Sequence, residues 1–334
     1  QKMGNHNNNQ QMQQMQQRNS YLNAQYTEAK EKEGNQKDNN DIKSTCSLLL
    51  RCGGSIINQK GQTTNRVDGL DINNGDWIQS FPELILARCG ASVVYSKHNG
   101  VLVIGGLVDG ESLNTVENWN IPKGHKTWDF LPQMNESRYS PSSLIYDTDN
   151  HHKEYLFVGG GYKRQTKQTL KSCEMYDFKR TSWTKISSMN IARYASGSCV
   201  WNNQSLAAFD GQIVIGGGVN KEANRSVEIY NIHKQKWYNL PDSVHNHRQN
   251  PCLWICKEYG VINSSFNGLL CICGDTFFEK SSVQGGRSMI GHIGGKIECY
   301  DPRASEREWI TIEDLNNILI NNNNQIIRGM VPFS

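Results

Sequence analysis

Arginine recurs through this sequence at Arg88, Arg138, Arg193, Arg248 and, more distantly, Arg328. A guanidinium offers several N–H donors in one plane, so a ring of such groups can receive carboxylates or phosphates of a partner through paired hydrogen bonds. The same group can instead hold loop carbonyls of its own fold, and a residue that repeats with the fold suits either role. Further cations, Lys163, Arg164, Lys167, Lys221, Arg225, Lys280 and Arg287, fall in the connecting segments between apolar runs. Acidic residues interleave with them at Glu83, Asp109, Glu111 and Glu136, which makes a mixed, basic-leaning surface. The chemistry this suggests is recognition of a protein partner through an acidic peptide segment.

Other constellations carry less. The chain has 10 cysteines, and without a visible leader they read as reduced core residues rather than a disulfide framework. Cys252 with Cys256 and Cys271 with Cys273 place four thiols on one hairpin, but their spacings are not those of a zinc knuckle. His151 and His152 with Asp147 and Asp149 read as a polar hairpin tip before they read as a metal site. Gly295-Lys296 looks like part of a phosphate loop, yet the required glycine and hydroxyl positions hold Ile290 and Ile297. No catalytic residue, metal or cofactor is therefore expected. The 35 basic and 32 acidic groups nearly cancel to +3, which argues against nucleic-acid binding by bulk charge. The longest apolar runs, near Val101 to Val108 and Cys46 to Leu50, are far short of the roughly 18 residues that would span a bilayer. The expected setting is intracellular, in the cytoplasm, away from membranes.

The elements that must position these residues come in two textures. Residues 1–45 are dominated by Gln and Asn without apolar periodicity, and too little apolar surface is available there to offset the entropy of ordering. A disordered tail serving as a linker is expected. From Cys46 to Ser334 short β-branched and aromatic runs alternate with turn signals. Asn99-Gly100, Asp210-Gly211 and Asn267-Gly268 supply the positive φ that tight hairpins need.

Within this all-β body one unit repeats. A diglycine closes an apolar strand at Gly53-Gly54, Gly105-Gly106, Gly159-Gly160 and Gly216-Gly217, with Cys273-Gly274 as a degenerate fifth. Each is followed by a strand reading apolar, acidic, any, aromatic or large apolar: Val67 to Leu70, Val116 to Trp119, Cys173 to Tyr176, Val227 to Tyr230 and Ile297 to Tyr300. Seven or nine positions later stands a tryptophan, namely Trp77, Trp128, Trp183, Trp237 and Trp309. The order is Arg, strand a, strand b ending in glycine, loop, strand c, turn, strand d. A small four-stranded sheet cannot cover its own apolar faces, so copies must stack, and stacking about an axis gives a propeller. Glycine lets backbones approach at the end of strand b, while Trp and Tyr supply large buried area between blades.

In these residues the chain resembles the kelch-repeat β-propeller family, whose blades carry a diglycine after strand b and a Tyr/Trp pair, here Tyr176, Tyr230 and Tyr300 with their tryptophans. Leu70 and Trp119 replace the tyrosine in the first two copies, and the fifth carries a long loop from Asp275 to Ile293. Propellers of this family usually have six or seven blades, so five visible copies and a first residue that is not Met favour a piece of a larger ring. In the alternative, a complete five-bladed ring, the C-terminal Gly329 to Ser334 would complete the first blade. The resemblance implies a partner receptor acting through the b–c and d–a loops, often joined to a BTB or F-box module that recruits a ubiquitin ligase. It also leaves an actin-binding member or a galactose-oxidase-like copper enzyme as alternatives.

Overall fold

The computed structural model describes residues 26–29, 46–56, 61–72, 74–78, 81–148, 153–201, 211–220, 223, 225–243, 250–256, 268–274, 276–281, 288–293, 297–304 and 308–311. Five four-stranded antiparallel sheets account for most of them, and among the described residues the helical content is one 3-10 turn, Ile121–Lys123. These sheets are the blades of a β-propeller, and they fall in two compact units, Gln1–Ser137 and Arg138–Ser334.

In the first unit, blade 1 contains Cys46–Ser55, Thr63–Asp71 and Trp77–Ile78 as strands b, c and d. Its strand a is Tyr26–Ala29, which pairs antiparallel with strand b from Tyr26 opposite Leu49 to Ala29 opposite Cys46. The segment expected to be a structureless linker therefore contributes one strand. An exposed edge of unpaired N–H and C=O groups is a template for any chain that can reach it, and Tyr-Thr in this stretch suits an extended backbone. The position for which Gly329 to Ser334 was the sequence candidate is thereby filled, and those six residues lie outside the described residues. Blade 2 runs through Ser92–Ser96, Gly100–Ile104, Val116–Trp119 and Asp129–Leu131.

The second unit holds three blades: Ser142–Thr148, Lys153–Gly159, Cys173–Asp177 and Ser182–Ile186; then Gly197–Trp201, Gln212–Gly216, Val227–Asn231 and Lys236–Asn239; then Cys252–Ile255, Leu270–Cys273, Glu298–Tyr300 and Trp309–Thr311. The long loop of the fifth copy is itself a hairpin, Thr276–Ser281 paired with Ser288–Ile293.

Strand alternation explains the packing. Ile213 and Ile215 face the third blade in a cluster with Phe157, Cys173 and Tyr230, while Val214 between them faces the fifth blade with Leu253, Leu270 and Ile272. Both faces of this strand are covered, so it reads as an unbroken apolar run. Each fully buried Val or Ile contributes roughly 1.5–3 kcal/mol. In the first unit Leu50 and Val67 of blade 1 pack with Val93, Val101 and Val103 of blade 2.

The aromatic pair is a direct cross-strand contact: Tyr176 opposes Trp183, Tyr230 opposes Trp237 and Tyr300 opposes Trp309, with ring centroids 5.1, 5.0 and 5.6 Å apart. Three indoles also tie their sheet to the preceding connection. Trp128, Trp237 and Trp309 donate Nε1–H to the carbonyls of Pro82, Ser187 and Pro241, each at 2.8 Å. Trp77 departs from the buried role expected of it: it is 43% exposed and has Leu70 opposite in place of a tyrosine.

The glycine pair needs one adjustment. Positive φ falls on Gly53 and Gly54 and on Gly105 and Gly106, as the spacing implies, but on Gly160 and Gly161 and on Gly217 and Gly218 in the next two blades. Gly159 and Gly216 end their strands. A Cβ on Gly160 would sit 2.4 Å from the Arg193 carbonyl oxygen, so the close approach is real.

Candidate functional site

The repeated arginines turn inward. Arg88, Arg138 and Arg193 have at most 1% of their surface exposed. Arg193 donates from Nη1 to the carbonyls of Gly217 and Ser226, both at 3.0 Å, and from Nη2 to Ser226 Oγ at 2.8 Å and Glu228 Oε1 at 2.6 Å. Arg138 repeats this with Gly160, Ser172 and Glu174, and Arg88 with Gly105, Thr115 and Glu117. Thr115 replaces the serine in blade 2, and its buried hydroxyl has no partner.

The acid that repeats in strand c is the counter-ion of this arginine, and it does a second job. Glu117 accepts the backbone N–H of Ile85 and Leu86 at 2.7 and 3.0 Å, and Glu228 those of Asn190 and Ile191 at 2.6 and 3.1 Å. One buried pair thus closes strand b onto strand c and anchors the incoming d–a connection. Burial pulls the Arg88 and Arg193 guanidinium groups below the ordinary arginine range, and the facing glutamates oppose that shift. In blade 1 the corresponding acid, Asp68, pairs instead with Arg51 and with Arg66, the latter at 2.6 Å.

The expectation that Arg88, Arg138 and Arg193 receive a partner's carboxylates is corrected by this geometry, because their Nη donors are directed at groups of the fold and the side chains are shielded from solvent. Arg248, Arg287 and Arg328 lie outside the described residues, as do His151 and His152. Arg225 is exposed, but its Nε donates to the Ser243 carbonyl at 2.6 Å and so secures the following connection.

What the fold does present beside Arg138 and Arg193 is the tyrosine that follows each of them. Tyr139 forms an isolated bridge with Tyr162, and Tyr194 with Val219, just past the glycine pair of the neighbouring strand b. The Tyr162 and Tyr194 rings lie 5.4 Å apart, and those of Tyr139 and Tyr194 6.5 Å apart. All three are part-exposed, and burial together with Tyr139 and Tyr162 pushes the Tyr194 phenol up from its usual range. The tyrosine after the arginine repeats in the sequence at Arg138-Tyr139 and Arg193-Tyr194, a signal available without the structure.

The cations of the third b–c loop stand beside this trio. Tyr162–Lys163 pairs with Gln168–Thr169, and the tight turn between them, with Lys167 at φ +55° and its N–H on the Arg164 carbonyl, projects Arg164 and Lys167 into solvent. In the first unit the matching loop is an Asp109-Gly110 turn with both residues at positive φ, flanked by Glu111. Among the described residues no group of three or more His, Cys, Asp and Glu side chains is arranged to hold a metal ion.

Comparison with known proteins fits these observations. The Kelch motif model matches residues 150–190 and 193–243, the third and fourth blades. The spermatocyte protein spe-26 of Caenorhabditis elegans is 28% identical over 194 residues, covering 56% of this chain and 30% of that protein. Kelch repeat and BTB domain-containing protein 1 of cowpox virus (strain Brighton Red) is 24% identical over 242 residues, covering 69% of this chain and 38% of that protein. The chain spans well under half the length of these curated relatives. The solved structure of YjhT superimposes with a TM-score of 0.52 at 11% identity, over 79% of this chain and 80% of that one, a likeness of fold alone.

Proposed function

This chain belongs to the kelch-repeat β-propeller proteins, and from that premise we propose that it is a non-enzymatic interaction module that docks an acidic peptide segment of a protein partner on its b–c and d–a loops. The observation that carries the reading is the trio Tyr139, Tyr162 and Tyr194 beside the exposed Arg164 and Lys167. Tyrosine offers large, stiff contact area with a polar tip, and aromatic and arginine side chains carry a disproportionate share of interface energy. Cations on the adjacent turn select a negatively charged ligand and speed its arrival.

A relative named for kelch repeats and a BTB domain supports a further step, in which this propeller presents a substrate to a ubiquitin ligase recruited by another module. Cys173, Cys271 and Cys299 are buried thiols, a use of cysteine that suits a reducing, intracellular setting. No helix among the described residues is long and apolar enough to cross a membrane.

The test is fluorescence anisotropy of the full chain against labelled peptides rich in Asp and Glu. Arg164→Glu with Lys167→Glu should abolish binding. Tyr162→Ala should weaken it about tenfold, as for one anchoring aromatic worth about 1.4 kcal/mol. Added salt should weaken the native interaction. Retention of full affinity by the charge-reversed chain, with an unchanged melting temperature, would sink the reading.

A further inference from the structure

Three thiols cross the fifth blade side by side. Cys256 directly follows strand a, Cys271 lies in strand b and Cys299 in strand c. The Sγ atoms of Cys256 and Cys271 are 3.5 Å apart, and those of Cys271 and Cys299 are 3.1 Å apart. Cys271 and Cys299 are buried and form a directly opposed antiparallel pair, whereas Cys256 keeps part of its surface exposed.

The middle thiol distinguishes the two ends. A hydrogen bond from Cys271 holds the Cys256 thiol down at about 7, against the raising effect of burial. Its contacts with Cys256 and Cys299, together with burial, push Cys271 well up. The exposed end is thus partly thiolate at neutral pH, and the thiolate is the form that reacts with oxidants. Opposed residues of an antiparallel ladder have Cα separations of about 4.5–5.5 Å, within the roughly 4.4–6.8 Å that a disulfide spans.

We propose that Cys256, Cys271 and Cys299 form a peroxide-responsive relay whose product is a Cys271–Cys299 disulfide across strands b and c of the fifth blade. Cys256 thiolate attacks a hydroperoxide; the S–O bond forms, the O–O bond breaks, and the leaving alkoxide or hydroxide takes up a proton, which leaves Cys256 as sulfenic acid. Cys271 sulfur then attacks the Cys256 sulfur and hydroxide departs with the Cys271 proton as water, which forms a Cys256–Cys271 disulfide. Cys299 attacks Cys271 from the other side, Cys256 leaves as thiolate, and the Cys299 proton passes to solvent. A group whose thiol pKa lies low is the better leaving group, which drives the last exchange toward the buried pair. Overall, two thiols and one hydroperoxide give one disulfide, one alcohol or water, and one further water, with Cys256 regenerated.

The reduced full chain is exposed to hydrogen peroxide at neutral pH, quenched with an alkylating reagent, digested without reduction and mapped by mass spectrometry. A Cys271–Cys299 linked peptide is the expected product, with dimedone trapping the transient sulfenic acid on Cys256. In Cys256→Ser the linkage should form at least about tenfold more slowly, because each unit by which a thiol pKa exceeds the ambient pH removes a factor of ten in thiolate. Cys299→Ser should accumulate the Cys256–Cys271 linkage. Oxidation confined to the exposed Cys252, a Cys252–Cys273 linkage in place of the expected one, or an undiminished rate in Cys256→Ser would overturn the proposal. If Cys256→Ser does not fold, the site of dimedone addition in the native chain decides the matter.

Discussion

Arg193 and Glu228 meet at 2.6 Å with neither side chain exposing any surface. Their attraction is only part of what they do, since the same guanidinium binds two carbonyls and a hydroxyl and the same carboxylate binds two loop N–H groups.

Removing one partner therefore strands a buried charge. Glu228→Ala should lower unfolding free energy by about 3–5 kcal/mol, the usual result when one half of a buried pair is lost. Arg193→Lys should cost less but remain destabilising, because a single ammonium cannot reproduce the planar set of bonds. Urea unfolding followed by tryptophan fluorescence measures both. Native-like stability of Glu228→Ala would show that the pair is not a strut of the fold.

A second prediction compares two glycines of similar backbone angle. Gly160 and Gly110 both have positive φ, +63° and +82°, but a Cβ would meet the Arg193 carbonyl oxygen at 2.4 Å at the first position and nothing within 4 Å at the second. Gly110→Ala should cost only the left-handed strain of about 1–2 kcal/mol. Gly160→Ala should exceed it clearly, because backbone must also move. Equal losses in thermal unfolding would mean that the approach of the two chains is readily relaxed.

Buried thiols predict a loss of stability at high pH. Burial pushes Cys173 up to about 12, whereas its ordinary value is 9.0. The folded chain then retains a proton that the unfolded chain releases. The resulting stabilisation is complete below about pH 9 and disappears as pH rises toward 12, at no more than about 1.4 kcal/mol per pH unit. Urea melts at pH 8 and pH 10.5 should show a steeper fall for the native chain than for Cys173→Ala. Parallel pH dependence in the two chains would contradict the shift.

The indole bond offers a smaller effect. Trp237→Phe retains most of the apolar contact with Tyr230 and Phe157 but deprives the Ser187 carbonyl of its donor. A destabilisation of about 1–3 kcal/mol is expected from the unmet acceptor and the smaller ring. Differential scanning calorimetry of the two chains checks it, and an unchanged melting temperature would remove the bond from the account.

Repetition made the blades legible, and it also left a gap in the reading. The Arg of the d–a junction and the acid of strand c recur with one period, and that shared period was a sign that they pair. Type alone could not tell an inward arginine from an outward one, since both uses of the guanidinium satisfy the same donors. The glycine pair shifted by one residue because Gly159-Gly160-Gly161 and Gly216-Gly217-Gly218 are triplets, and only backbone geometry singles out the last two. Tyr26–Ala29 has no flanking turn signal and no repeat partner, so nothing local marked it as a strand. The closeness of Cys256, Cys271 and Cys299 depends on register across three strands, which the spacing of Cys252 with Cys256 and of Cys271 with Cys273 along their own strands does not reveal.

The junction arginine has a further consequence through its backbone. The side chain of Arg193 serves the fourth blade, while its carbonyl accepts the Gly161 N–H of the third at 2.9 Å; Arg88 serves the second blade and accepts the Gly54 N–H of the first at 2.8 Å. In a linear array stability is a sum of intrinsic and nearest-neighbour terms. Here one residue enters both terms, so melting either blade of such a pair forfeits contacts in its neighbour. Within each of these pairs, loss of order should spread rather than stop at a blade boundary, which makes the pair of blades, and not the single blade, the smallest cooperative element of the array.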